Sequence, residues 1–193
     1  MKAIETVYRG YKFRSRIEAR YAVLLDALGV GWEYEKEGYE LSGFRYLPDF
    51  WIPSWDCFLE VKGTELTMED AMKVNLQAEH SGKYVVVGIG IHDCEFVDWL
   101  EKGFLIYAPE SQRVEDEYGE KSYLRTDMFS LAWPGSKNAL LVCDGCNRLH
   151  FAGAAYTGSG KGYCCEKDRL VFPEKAINAA KQARFEHGAN GNA

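Results

Sequence analysis

In the segment YLPDFWIPSWDCFLEVKG, residues 46 to 63, an aspartate, a glutamate and a lysine stand at positions 49, 60 and 62. Side chains alternate along a strand, so in CFLEVKG Phe58, Glu60 and Lys62 share one face while Cys57, Leu59 and Val61 share the other. The PSWD turn lets the two halves pair as a hairpin, which brings Asp49 beside Glu60. Two adjacent carboxylates repel unless a cation lies between them. Hard oxygen donors suit Mg²⁺ or Mn²⁺. The plainer reading is a surface hairpin carrying a Glu–Lys pair, and an isolated D…ExK pattern often arises by chance. Against it, Asp49 is flanked by the apolar LP and FWIP, a partly enclosed setting.

A third carboxylate lies upstream. In SRIEARYAVLLDALG the apolar residues Ile17, Tyr21, Leu24, Leu25 and Leu28 recur at helical spacing, with Ser15 opening the helix and Gly29 stopping it. Glu18 stands on its first turn. Ser15 and Glu18 also make an S-x-x-E capping box, a purely structural role that accounts for both residues equally well.

Taken together, SRIEARYAVLLDALGVGWEYEKEGYEL, YLPDFWIP and FLEVKG closely resemble phage-encoded members of the PD-(D/E)XK nuclease superfamily, over roughly residues 7 to 90. The resemblance implies a restriction-endonuclease-like α/β core, a mixed central sheet flanked by helices. It also implies Glu18, Asp49 and Glu60 as Mg²⁺ ligands, with the Val61 carbonyl completing the set and Lys62 as the catalytic lysine. The implied activity is hydrolysis of phosphodiester bonds in DNA. Lys12, Arg14 and Arg16, close to Glu18 in sequence, are candidates for holding flanking phosphates. Lys73 and Gln77 on the following helix are candidate supporting groups, and a solvated helix face explains them as well.

A second constellation is built from cysteine. Cys143-Asp-Gly-Cys146 is followed, after 17 residues, by Cys164 and Cys165. This layout resembles a zinc ribbon or knuckle. Adjacent cysteines strain a shared site, so the fourth Zn²⁺ ligand is open between the pair itself, His150 and Asp168. Such a zinc would be structural. Cys57 and Cys94 read as small core residues.

The elements that must position these groups follow from pattern. TVYRGYKFR reads as a hairpin turning at Gly10; strands are expected at about 31–36, 44–51 and 57–62; a helix spans Thr67 to His80; YVVVGI is a buried strand; EFVDWLEKG is a short element leading to the strand FLIYA. The expected organisation is a core over 1–108, an irregular connection over 109–138, a zinc-ribbon-like unit over 139–172, a helix over 173–188 begun by Pro173, and a frayed tail over 189–193. In that last helix Lys181 and Arg184 are backbone-phosphate candidates, though a docking helix with Phe185 buried is simpler.

With 193 residues, 47% of them hydrophobic and 14% aromatic, the chain can bury a core. It has no long apolar run for a membrane span, and the start MKAIETVYRG lacks a signal-peptide stretch, so a cytoplasmic protein is expected. The net charge of −6 opposes general affinity for polyanions, but residues 1–20 carry six basic side chains against Glu5 and Glu18. Two other readings stand beside the DNA nuclease: a non-catalytic module binding nucleic acid or a host protein on the same fold, and a nuclease for RNA or small nucleotides.

Overall fold

The structure, a computed structural model, describes residues 4–91, 103–112, 114–115, 121–122, 137–153 and 170–185. It is a mixed α/β fold. Strands β1 (Thr6–Tyr8) and β2 (Tyr11–Phe13) pair as the expected hairpin. Arg9 and Gly10 at its turn have φ of 49° and 80°, the two positive values that a tight turn between twisted strands needs. Helix α1 (Arg16–Ala27) follows, capped by Ser15. Then come β3 (Glu33–Tyr34), β4 (Tyr39–Leu41), β5 (Phe44–Tyr46), β6 (Phe50–Ile52) and β7 (Cys57–Lys62). Helix α2 (Met68–Ser81), capped by Thr67 and closed by Gly82, crosses over to β8 (Tyr84–Ile89), and β9 (Phe104–Tyr107) completes the core.

The central sheet has the order β3-β6-β7-β8-β9. Strands β7 and β8 are parallel, joined through α2, and the remaining pairs are antiparallel. Tyr21, Leu24 and Leu25 of α1 pack on one face with Phe50, Leu59, Val61 and Val86. On the other face Val74 and Ala78 of α2 pack with Phe58, Val85 and Val87. Cover on both faces explains why β8 is an unbroken apolar run rather than an alternating one. Cys57 is fully buried in this core, as its small apolar character suggested.

Several boundaries differ from expectation. The run 44–51 is two strands, not one. Pro48 cannot donate to a ladder, and β5 leaves the main sheet to pair with β4 across Ser42 and Gly43, both at positive φ. The strand expected at 31–36 narrows to Glu33–Tyr34 because Glu35 takes a left-handed conformation, φ 46°. The buried strand read at YVVVGI is β8 over the same residues, and the chain turns after it at Gly90, φ 60°.

Within the connection after residue 108, β10 (Val114–Glu115) pairs with β11 (Lys121–Ser122). EFVDWLEK and Cys94 lie outside the described residues. Strands β12 (Ala139–Cys143), β13 (Leu149–Ala152) and β14 (Leu170–Val171) form a sheet of order β13-β12-β14. This sheet is fastened to the core: Leu140 and Phe151 enter it, Phe151 stacks edge-on against Phe104 at 5.1 Å, and Asn138 bridges to Phe104. Helix α3 (Glu174–Gln182) starts after Pro173 but ends six residues short of Gly188, with Ala183 already extended. Beyond it the half-buried Phe185 meets the Tyr8 ring at 6.2 Å. No helix among the described residues is long and apolar enough to cross a membrane.

Candidate active site

The antiparallel register of β6 and β7 pairs Phe50 with Leu59 and Trp51 with Phe58. Continued by one residue, it sets Asp49 opposite Glu60, as the hairpin reading required. Both acids are buried, at 3% and 6% exposure, and Glu18 joins them at 7%. Carboxylates buried this deeply need partners, and each has them.

Asp49 accepts from the Val61 amide through Oδ2 at 2.7 Å and from the Arg14 guanidinium through Oδ1 at 2.6 Å. Burial, then the charges of Glu60 and Glu18, push its pKa well above the ordinary carboxylate range, and the Val61 and Arg14 contacts only partly offset them. Glu60 accepts from the Tyr46 hydroxyl at 2.9 Å and lies 3.1 Å from the Lys62 ammonium, so Glu60 and Lys62 do meet on one face of β7.

Glu18 takes part in the cap of α1 and also faces the acid cluster. Its amide donates to Ser15 Oγ at 3.3 Å, the capping half. Its carboxylate accepts from Ser15 Oγ at 2.6 Å, from the Tyr34 hydroxyl at 2.6 Å and from the Arg14 amide at 3.2 Å. The Tyr34 ring is wedged between Phe13, 4.4 Å away, and Phe50, 5.5 Å away, which aims its hydroxyl at the acid.

Lys62 reaches on to α2, where Asp70 Oδ1 accepts from its ammonium at 2.8 Å. Asp70 is itself fixed by a reciprocal capping box with Thr67. Burial pulls the Lys62 pKa down, but Asp70 and Glu60 outweigh it and hold the lysine protonated above its usual range. Partial burial likewise raises Asp70, but the hydrogen bonds from Lys62 and Thr67 bring it down to about 2.

Arg14 reaches into this cluster from its solvent side. Besides Asp49, its Nε lies 2.7 Å from Glu35 Oε1. Lys12, the neighbouring phosphate candidate, points to solvent and pairs with Glu5 at 2.8 Å. Arg16 is half-buried on the first turn of α1. Lys73 pairs with Glu69 on the exposed side of α2, whereas Gln77 is fully buried. Arg184 is exposed just beyond α3, and Lys181 lies in that helix's last turn.

Four members of the cluster escaped the sequence reading: Tyr34, Glu35, Tyr46 and Asp70. The T-x-x-D spacing of Thr67 and Asp70 is a helix-start signal that does not point to Lys62. The others are brought in by the fold alone.

The arrangement gathers five carboxylates, Glu18, Glu35, Asp49, Glu60 and Asp70, around two cations, Arg14 and Lys62. This excess of hard oxygen donors fits a divalent ion such as Mg²⁺. As they stand, no three His, Cys, Asp or Glu side chains among the described residues are close enough together to hold one; their oxygens are engaged by Arg14, Tyr34, Tyr46 and Lys62.

In the cysteine unit, Cys143 ends β12 buried and Cys146 lies exposed in the turn to β13. The turn is closed by Asn147 N–H donating to Cys143 O at 2.8 Å and Cys143 N–H donating to Arg148 O at 2.9 Å, with Asn147 at φ 60°. His150 pairs across from Leu141 and so shares a sheet face with Cys143. Cys164, Cys165 and Asp168 lie outside the described residues.

Comparison of the chain with protein-family models, with curated proteins and with solved structures finds no match.

Proposed function

We propose that this protein is a Mg²⁺-dependent nuclease of restriction-endonuclease-like fold that hydrolyses phosphodiester bonds in DNA. The observation that carries the reading is the meeting of Glu18, Asp49, Glu60 and Lys62, drawn from α1, the start of β6 and β7, in one buried, hydrogen-bonded cluster.

Glu18, Asp49, Glu60 and the Val61 carbonyl would hold the ion, whose contribution when bound is Lewis acidity toward the phosphate oxygens. Lys62, its ammonium held by Glu60 and Asp70, would orient an attacking water and offset charge growing on the phosphate. The Val61 amide fixes the rotamer of Asp49, and Tyr46 that of Glu60. Cys143, Cys146, Cys164 and Cys165, with His150 or Asp168 as the other fourth-ligand candidates, would bind a structural Zn²⁺ that ties the β12–β13 turn to the later chain.

The test is cleavage of duplex, single-stranded and branched DNA in Mg²⁺ by the wild type, Asp49→Asn and Lys62→Ala. The expected result is loss of cutting in both variants. Equal cutting by all three would trace the activity to another site or a contaminant, and the proposal would fall.

A further inference from the structure

The proposed centre contains a cation of its own. Asp49 has two oxygens to offer. The Val61 amide holds one, and the Arg14 guanidinium holds the other at 2.6 Å. A divalent ion ligated by Asp49 competes for that second oxygen, and two positive charges cannot share it closely without strong repulsion. The two occupants are also unequal in how they are fixed. The Asp49 side chain is 4% exposed and the Arg14 side chain 54%, so the carboxylate is fixed while the guanidinium reaches in from the solvent side.

Its second contact, with Glu35, is close at 2.7 Å but not aligned as a hydrogen bond. Glu35 is a non-glycine residue at φ 46°, anchored by its amide to the Asp49 carbonyl at 2.9 Å. The Arg14 backbone is independently tied to Glu18 and Tyr34 through its amide. Release of the side chain therefore breaks no element of the fold.

Resting on the metal-centre reading above, we infer that Arg14 is a placeholder cation, which neutralises Asp49 until a divalent ion displaces it and is then free to grip a substrate phosphate beside Glu18. A released guanidinium is a planar, two-pronged donor suited to a phosphate. Ion and phosphodiester would then strengthen each other's binding, since each favours the same released arginine.

The experiment is a Mn²⁺ titration of the full chain as wild type, Arg14→Gln and Asp49→Asn, with Asp49→Asn giving the background. It is paired with NMR observation of the Arg14 side-chain N–H signals during addition of Mg²⁺. Arg14→Gln is expected to bind Mn²⁺ about tenfold tighter than the wild type, within the usual range of coupling between two sites, while its KM for DNA rises. The Arg14 signals are expected to shift as Mg²⁺ saturates the site. Mn²⁺ affinity unchanged or weaker in Arg14→Gln, or Arg14 signals that stay still at saturation, would overturn this inference and leave the metal centre standing. No Mn²⁺ uptake above background by either wild type or Arg14→Gln would overturn both.

Discussion

The carboxylate cluster at the end of β7 and the cysteine turn between β12 and β13 are held in place by opposite means. Four members of the cluster are each pinned by a group from elsewhere in the chain: Glu18 by Tyr34, Asp49 by Arg14, Glu60 by Tyr46, and Lys62 by Asp70 on α2. The cysteine turn is closed at short range by its own backbone, Asn147 N–H donating to Cys143 O and Cys143 N–H to Arg148 O. A site assembled from many elements is an outcome of the whole fold and can lose one chemical group with the fold intact. A local turn carries little stability alone, and its thiols gain structural weight only when a metal joins them to distant ligands.

The largest expected effect breaks the cluster's chemistry without its scaffold. Lys62→Ala should lower kcat for DNA cleavage by about 10²–10³-fold, the scale of removing one group that stabilises developing charge. Asp49→Asn keeps an oxygen for the Val61 amide and should lose cleavage with a thermal midpoint close to the wild type. A large drop in midpoint would make Asp49 a structural residue instead.

The cysteine turn should behave in reverse. Cys143→Ser, or a strong chelator, should remove a zinc countable by atomic absorption. It should also lower the midpoint by about 5–10 °C, at a few degrees per kcal/mol for a chain of this size. A midpoint indifferent to both treatments would leave the turn a hydrogen-bonded corner and nothing more.

The same contrast explains what was legible in the sequence. Strand alternation was enough to put Glu60 and Lys62 together, and a hairpin register was enough to add Asp49, because both are short-range consequences of pleating. Ser15 and Gly29 marked the ends of α1 for equally local reasons. Arg14 was legible only as a basic residue near Glu18, since its place against Asp49 depends on how β2 lies beside β6. Tyr34 and Tyr46 read as ordinary aromatics of strands; their hydroxyls become site groups only when β3 and the β4–β5 hairpin close over the acids. Pro48 was the missed local signal: it should have split the 44–51 run into β5 and β6 without a structure.

A smaller effect tests how the scaffold seats the cluster. An added Cβ at Gly88 would lie 2.3 Å from the Tyr21 hydroxyl oxygen, a buried group that donates to Gly90 O at 2.7 Å. Gly90 in turn donates its amide to Lys62 O at 2.8 Å. Gly88→Ala should cost about 1–3 kcal/mol, as overpacking of a tight core does, read from denaturant unfolding. A cost near zero would mean that Tyr21 moves aside freely and that the Gly90–Lys62 link is not rigidly set from α1.

The smallest effect separates two acids within the cluster by the sign of their pH dependence. Asp49 has its pKa raised by burial and by Glu60 and Glu18, so the folded state binds its proton more tightly than the unfolded chain does. Its contribution to stability is therefore fully present below the ordinary value of 3.8 and is lost as pH rises through the folded pKa. Asp70 is the opposite case. Lowered to about 2, it contributes stability that is present above 3.8 and is lost as pH falls toward 2.

Unfolding midpoints measured without divalent ions across this range should diverge accordingly. Asp49→Asn should gain on the wild type as pH rises above about 4, whereas the deficit of Asp70→Asn should close as pH falls below it. The Asp70 effect is the smaller of the two, because water screens its partly exposed pair with Lys62. Parallel slopes for the two variants would mean that Asp49 and Asp70 sit in equivalent electrostatic surroundings. In that case the mutual repulsion of Asp49, Glu60 and Glu18, on which the proposed metal centre rests, would be absent.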